Sequence, residues 1–437
     1  STGFDNISTK LLKFIGPVIT PILCMIINQS LRTGIFPDKL KIAKVIPIYK
    51  NSDENVFGNY RPISLLPAIS KVFERVAFEQ LYQYFQENKL IYVSQYGFRK
   101  DHSTESAVIE LVDRLHNEID KGETPFVVFI DLSKAFDTLD HEIMLSKLES
   151  YGITNTALSW FRNYLTNRTQ YVAYDDEVSS CQYIHTGVPQ GSVLGPLLFL
   201  IYMNDISKVS EIFCSILFAD DTSLASPICA FSMGTHNPTN KTISDNINRE
   251  LSKITEWLAA NKLALNVKKT KFMMFSYSRS KLMQQHTPDI RINNQPISRV
   301  DNFDFLGIRI DEYLNWKLHL DKISGKILRI IGLLSKLKNY FPPLILKLMY
   351  NSMILPHLTF GITVWGFHCD RLFKLQKRAV RIISRAKYNA HTEPLFKAHR
   401  LLKVSDIFRL HTLKLYYKFL HGTLPVYLFY VIQPNTV

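Results

Sequence analysis

The stretch Ile216-Leu217-Phe218-Ala219-Asp220-Asp221-Thr222-Ser223-Leu224-Ala225 decides how this chain is read. Two adjacent carboxylates interrupt an apolar run, with apolar residues on both sides, so the pattern predicts strand, tight turn, strand. Side chains alternate along a strand, so Asp220 and Asp221 should point in different directions. Two anions at the tip of a buried hairpin repel each other and lose hydration. A pair of hard divalent cations would relieve that arrangement. An Asp-Asp surface turn is the plain alternative, since Asp is a common turn residue. A third carboxylate at the end of another apolar strand would decide between the two.

Phe126-Val127-Val128-Phe129-Ile130-Asp131 supplies it. The apolar run is that of a strand buried on both faces, and Asp131 ends it. Helix capping is the alternative for Asp131, but Ser133 could cap as well. Asp137 and Asp140 read as helix-surface or capping residues of a helix running to about Ser150. The second acidic pair, Asp175-Asp176, lies in a polar stretch without flanking apolar strands and reads as a plain turn.

Composition bounds the rest. The 437 residues allow two or three domains, and a hydrophobic fraction of 46% suits a globular chain. The cysteines (Cys24, Cys181, Cys214, Cys229, Cys369) have no C-x-x-C spacing, which argues against a zinc knuckle or a disulfide framework. The most apolar stretches are Phe14–Leu31, broken by Pro17 and Pro21, and Val193–Met203, too short to span a bilayer, so a soluble protein without membrane contact is expected. The first residue, Ser1, suggests a fragment or a processed chain. The formal charge is +14, from 52 Lys and Arg against 38 Asp and Glu; 19 of those bases but 4 of those acids lie between Asp321 and Val437. The positive excess therefore sits in the last quarter, an electrostatic footprint for a polyanion such as nucleic acid.

In chain order, helices are expected around Leu11–Ile15 and Pro21–Leu31, and a strand over Val45–Lys50. A loop then leads to Tyr60-Arg61-Pro62-Ile63-Ser64, so Lys50 and Arg61 could present two cations to one phosphate chain, or be a solvated hairpin. Helices follow from Pro67 to about Asn88 and from Asp101–Ser103 through Ile119. Thr186-Gly187-Val188-Pro189-Gln190-Gly191 begins a Gly/Pro-rich loop that lets a backbone or base pair approach closely. After a helix over Ile243–Lys262 and a strand at Phe272–Phe275, the run Phe305–Ile310 reads as the last strand of the sheet. Arg371–Ala386 reads as an amphipathic helix with Leu372, Leu375, Ala379, Ile382 and Ala386 inward and Lys374, Lys377, Arg378, Arg381 and Arg385 outward. That one-sided cation set suits a nucleic-acid backbone.

Taken together these ordered blocks resemble the reverse transcriptases of non-LTR retrotransposons, of the jockey type. The blocks are Tyr60–Leu66, Gln95–Arg99 with Ser103-Thr104, Phe129–Asp137, Thr186–Pro196, Phe218–Thr222, Leu265–Thr270 and Phe305–Gly307. The resemblance implies an α+β right-hand polymerase: N-terminal extension and fingers over 1–125, palm with an antiparallel sheet over 126–312 (fingers-associated helices at about 140–185), helical thumb and basic region over 313–437. It implies copying of RNA into DNA with two Mg²⁺ ions (Mn²⁺ a possible substitute), and a template RNA, a DNA primer and dNTPs as partners. Asp131, Asp220 and the Leu132 carbonyl look like metal ligands, and Asp221 like a supporting carboxylate. Lys269 would match the lysine that protonates pyrophosphate. Lys50 and Arg61 fit triphosphate binding, Phe136 the steric gate, and Gln190 and Gly191 the nucleotide-pocket floor. Phe305, Leu306 and Gly307 resemble the primer grip, and Arg99 and the basic helix would meet nucleic acid. No endonuclease or RNase H is expected within these residues; a cytoplasmic ribonucleoprotein and the nucleus are the expected locations. The rival expectations are an inactive or domesticated fold that only binds RNA, and an intron maturase.

Overall fold

The computed structural model describes residues 2–50, 53–227, 240–277 and 288–432. Its centre is a five-stranded sheet in the order Cys214–Phe218, Asp221–Pro227, Pro125–Ile130, Lys271–Met274, Ser298–Arg299. Neighbours are antiparallel except the last pair, which is parallel. Every residue of Pro125–Ile130 is buried, because both sheet faces are covered. Phe126, Val128 and Ile130 face a core built with the helices Gly195–Met203 and Asn240–Ala260. Val127 and Phe129 face a second core with the helix Thr104–Asp120 and the helical C-terminal region. That two-sided burial accounts for the unbroken apolar run.

A second sheet stands beside it. Ile42–Tyr49 pairs antiparallel with Tyr60–Leu65 and parallel with Arg168–Tyr174, which also pairs with Glu177–Val178 and Gln182–Ile184. The expected Lys50/Arg61 hairpin is therefore present, and Ile48 faces Arg61 across it.

Four local expectations are corrected. The two N-terminal helices are one helix, Thr9–Thr33, which carries Pro17 and Pro21 inside it. By length and composition that helix is long and apolar enough to cross a membrane, while Ile27 and Ser30 near its end pack into the folded body. The helix after Asp131 starts only at His141, because Lys134 takes a left-handed turn (φ 51°) and Asp140 caps the Glu142 and Ile143 N–H groups. Asn302–Phe305 and Ile308–Asp311 form a hairpin of their own, outside the central sheet, turning at Leu306 and Gly307 with positive φ. The basic helix spans Asp370–Ile383 and buries Leu372, Gln376, Ala379, Val380 and Ile383, so the inward face differs from the expected one and Arg385 falls beyond it. Gln376 is tolerated inside because it bonds Tyr350, Leu402 and Val404.

The hairpin is pinned to the C-terminal helices at the start of Lys317–Leu337. Asp304 accepts from Arg309 at 2.7 Å and from Lys322 at 2.7 Å, which holds its carboxyl down at about 2. The His319 Nδ1 accepts the Arg309 backbone N–H at 3.1 Å from a site 2% exposed. Burial, helped by the charge of Lys322, pushes this imidazole down to about 4. An imidazole that stays neutral when folded costs stability only where the unfolded chain protonates. Its contribution is therefore intact above about pH 6.5 and is lost as pH falls toward 4, on the order of 3 kcal/mol. The melting temperature of the wild-type chain should fall more steeply between pH 6.5 and 4 than that of His319→Gln; parallel falls would refute the assignment.

Candidate active site

The register of the central sheet builds the site. Ile130 lies opposite Thr222 and Phe218 opposite Asp221. One step further along, Asp131 and Asp221 leave the sheet side by side, with Asp220 at the hairpin tip next to them. The tip is tight because Ala219 adopts φ 57°.

Asp131 is held from the other side. Its N–H meets the Thr270 hydroxyl at 3.4 Å, its carbonyl accepts the Asn266 N–H at 2.9 Å, and the Asn266 side chain bonds its carboxylate. The pair Leu132/Leu265 follows as a non-hydrogen-bonded position, so the Leu132 carbonyl points away from that ladder.

The hairpin has a support that sequence reading missed. Ser94–Gly97 runs along its outer edge: Leu217 N–H donates to Ser94 O at 2.9 Å, and Tyr96 N–H donates to Leu217 O at 2.7 Å. The Gln95 side-chain oxygen accepts both Gly97 N–H and Ala219 N–H. A Cβ on Gly97 would sit 2.4 Å from the Ala219 nitrogen, so only glycine lets the two backbones meet. Buried Glu110 accepts from Ser94, Tyr96 and Arg114 and anchors this segment. Arg99, expected at nucleic acid, instead donates to the Tyr92 and Gln95 carbonyls and closes the loop behind the hairpin. Its planar fork suits several carbonyls at once, and that local role absorbs it.

The electrostatics match the geometry. Burial raises the Asp131 carboxyl; Lys269, with Nζ 4.0 Å from Oδ2, opposes that, and Asp220 adds to it. Asp221 keeps an exposed edge, yet burial of its carboxyl and the charges of Asp220 and Asp131 push it up to about 6. Among the described residues no three His, Cys, Asp or Glu side chains are grouped closely enough to hold one ion unaided. Three mutually repelling carboxylates without such a cage fit ions that draw their other ligands from water and phosphate, as Mg²⁺ does.

A cleft of about 1160 Å³ opens between the two sheets and brings together Lys50, Arg61, Asp131, Leu132, Phe136, Gln190, Asp220 and Lys269. Phe136 stacks on Phe199 at 4.4 Å, which fixes its ring. Asp221 and Phe305 line an adjoining cavity of about 470 Å³ that shares Asp131 and Lys269. Gly191 lies beside the cleft: a Cβ there would meet the Ser64 carbonyl at 2.5 Å, and Ser64 N–H donates to Gln190 O at 2.8 Å. This glycine therefore serves a seam between loop and outer sheet. Asp137, read as a surface or capping residue, accepts from Gln190 Nε2 at 2.8 Å within the cleft. No local pattern reveals that pairing, since the partners are far apart in sequence. Leu306 and Gly307 form the turn of the separate hairpin, with Gly307 facing the Phe360 ring.

The basic helix lies outside the cleft. Lys374 and Arg378 are exposed. Lys377 sits over the Phe373 ring at 4.2 Å, Arg381 donates to the Ala390 carbonyl, and Arg385 donates to the Phe341 carbonyl. The five cations thus do not form one free face.

A carboxylate-bearing antiparallel palm, a fingers sheet across a cleft and a helical thumb define a right-hand polymerase fold. The family described as reverse transcriptase (RNA-dependent DNA polymerase) matches residues 48–310, and the chain belongs to that family. It is 27% identical over 433 residues to the probable RNA-directed DNA polymerase from transposon BS of Drosophila melanogaster, covering 94% of this chain and 46% of that protein. It is 26% identical over 420 residues to the RNA-directed DNA polymerase from mobile element jockey of the same species, covering 92% and 44%. The chain thus spans about half the length of these curated relatives. The solved structure of telomerase from Candida albicans, in complex with a fragment of telomeric RNA, aligns over 84% of this chain and 68% of that one, at 13% identity and a TM-score of 0.45.

The contact between Gly97 and the hairpin is directly testable. Gly97→Ala should destabilise the chain by about 1–3 kcal/mol through overpacking. The control Gly16→Ala, in a helix with nothing within 4 Å, should be neutral or slightly stabilising. Denaturant midpoints measure both, and equal midpoints would contradict the close approach.

Proposed function

We propose that this chain copies RNA into DNA by two-metal-ion nucleotidyl transfer, as the polymerase part of a non-LTR retrotransposon. The observation that carries the reading is the meeting of Asp131 and Asp220 with Lys50 and Arg61 across one cleft. Anions on the palm wall and cations on the fingers wall suit a nucleotide triphosphate bridged to divalent ions.

In this reading Asp131, Asp220 and the Leu132 carbonyl hold two Mg²⁺ ions, with Mn²⁺ a substitute, and Asp221 supports the pair. When bound, such ions neutralise charge on the phosphates and favour the attacking 3′-oxygen. The primer 3′-oxygen forms a bond to the α-phosphorus of the dNTP, the bond to the β-phosphate oxygen breaks, and pyrophosphate leaves. The 3′-hydroxyl proton passes to solvent. Lys50 and Arg61 bind the triphosphate. Lys269, already beside Asp131, holds a proton at Nζ for the leaving pyrophosphate. Phe136, fixed against Phe199, presents an edge where a 2′-hydroxyl would lie. Gln190 is oriented by Asp137: a carboxylate only accepts, so the amide nitrogen turns toward it and the amide oxygen is left for the nucleotide. The turn Phe305–Gly307 supports the primer strand, and Lys374, Lys377 and Arg378 the nucleic-acid backbone. The template is RNA, and the primer is a 3′-OH on nicked target DNA, which implies action in the nucleus after passage as a cytoplasmic ribonucleoprotein. The functional boundaries follow as fingers to residue 125, palm over 126–312 and thumb beyond.

Primer extension on an RNA template with Mg²⁺ and dNTPs tests the reading. Asp220→Asn should abolish extension while leaving RNA affinity within about 2-fold, since its charge serves chemistry and not backbone binding. Extension at wild-type rate by Asp220→Asn, or no extension by the wild-type chain on any template, would sink the proposal. Asp137→Ala should raise the KM for dNTP about 10-fold, the scale of one charge-assisted hydrogen bond, and Asp137→Asn should recover most of it because its oxygen still accepts. A KM unchanged in Asp137→Ala would remove Asp137 from the site.

A further inference from the structure

At the far end of the thumb two turns meet. Residues 338–342 follow the helix Lys317–Leu337, and residues 384–390 follow the basic helix Asp370–Ile383. Arg385 joins them by donating to the Phe341 carbonyl at 3.2 Å. Arg381 fixes the second turn by donating to Ala390 O at 2.9 Å, and Ala390 N–H closes it onto Lys387 O. From these turns two tyrosine rings stand in solvent: Tyr340 is 82% exposed and Tyr388 90% exposed.

Burial explains neither ring, and a tyrosine so exposed adds nothing to the core. Lys336, Lys338, Arg385 and Lys387 surround them. Among the described residues none of these four is paired with a carboxylate. The sequence has no Asp or Glu from Ile323 to Cys369, and none from Arg371 to Thr392. The edge is therefore cationic without local neutralisation, and it carries flat apolar faces between the cations.

We propose that this edge is a binding platform for single-stranded nucleic acid, with bases stacking on Tyr340 and Tyr388 and phosphates held by Lys338, Arg385 and Lys387. Aromatic rings between unpaired cations are the combination that holds a single strand, whose bases are free to stack; a duplex keeps its bases stacked internally and offers only phosphates. An acidic protein segment would satisfy the cations but leave both rings without a partner of matching shape. The location adds a constraint. The helix Lys317–Leu337 is anchored to the palm hairpin at His319 and runs 21 residues outward, about 30 Å at 1.5 Å per residue. The platform therefore engages a strand roughly 30 Å from the hairpin, outside the nucleotide cleft. It rests on the reading that this chain handles nucleic acid, and it specifies which strand state the thumb holds.

Fluorescence anisotropy with a labelled, unstructured 20-nucleotide RNA, and with a duplex of the same length, tests this at two salt concentrations. The double variant Tyr340→Ala/Tyr388→Ala should weaken single-strand binding about 10-fold or more with an unchanged salt slope, and Tyr340→Phe/Tyr388→Phe should bind like wild type. Duplex affinity should move less than 2-fold in both. Arg385→Gln/Lys387→Gln should reduce the salt slope by about 2. Single-strand affinity unchanged in the alanine pair, equal losses for duplex and single strand, or no recovery in the phenylalanine pair would each overturn the platform. Primer extension by the wild-type chain separates the two readings: extension with an unaffected alanine pair refutes the platform alone. Absence of both extension and RNA binding in wild type refutes the platform together with the proposed function.

Discussion

The antiparallel pairing of Pro125–Ile130 with Asp221–Pro227 is the constraint on which the rest depends. Its register sets Ile130 against Thr222. A slip of one residue would turn every side chain of the buried strand to the other face. Phe126, Val128 and Ile130 would then exchange places with Val127 and Phe129 between two differently shaped cores. The two-sided packing therefore fixes the register, and the register places Asp131 beside Asp221. The position of the carboxylates is a by-product of hydrophobic burial, with no salt bridge or hydrogen bond between them needed to hold it.

That placement is costly in the isolated chain. Burial and mutual repulsion raise both Asp131 and Asp221 above the usual carboxylate range, and Lys269 offsets only part of this from 4.0 Å. The surrounding structure keeps the carboxylates together: Gln95 and Gly97 brace the hairpin from outside, and Asn266 and Thr270 brace Asp131 from inside. Each brace is a backbone contact or a neutral hydrogen bond. None adds a competing cation inside the cleft, so the local negative potential stays available to whatever binds there.

Much of this was legible in the sequence because it was local. The apolar run ending in Asp131, the Asp220-Asp221 hairpin and the Lys50/Arg61 hairpin are contiguous patterns with a period that can be read directly. Ordered resemblance supplied what spacing could not, namely that these patterns share one cleft. The misreadings have a common cause in tertiary contacts. Arg99 looks like a free cation until the Tyr92 and Gln95 carbonyls claim it. Asp137 looks like a surface acid until the Gly/Pro loop brings Gln190 to it. Phe305–Ile310 has the pattern of a sheet strand, but positive φ at Leu306 and Gly307 folds it back on Asn302–Phe305 instead. In the basic helix, polar Gln376 is buried by three long-range bonds, which rotates the inward face away from the one that hydrophobicity alone selects.

The two halves of the molecule solve opposite problems, and their chemistry differs accordingly. The palm needs side chains at fixed positions, so its polar groups are half-buried, hydrogen-bonded and stacked, as Asp131, Gln190 and Phe136 are. A thumb that lets a polymer pass must hold it without fixing a register, and long exposed cations do that, because a phosphate can move from one to the next with little change in energy. The hairpin Asn302–Asp311 joins the two regimes. It reaches the palm through Phe303 and Phe305, whose rings lie 4.1 and 5.8 Å from Phe129, and it reaches the thumb through Asp304, Arg309 and His319. Because Phe129 lies two residues before Asp131 on the same strand, any tilt of the thumb helix is passed through this hairpin to the strand that carries the carboxylate. Its stiffness follows from charge-assisted and buried contacts at both ends, which a solvent-exposed linker of the same length would lack.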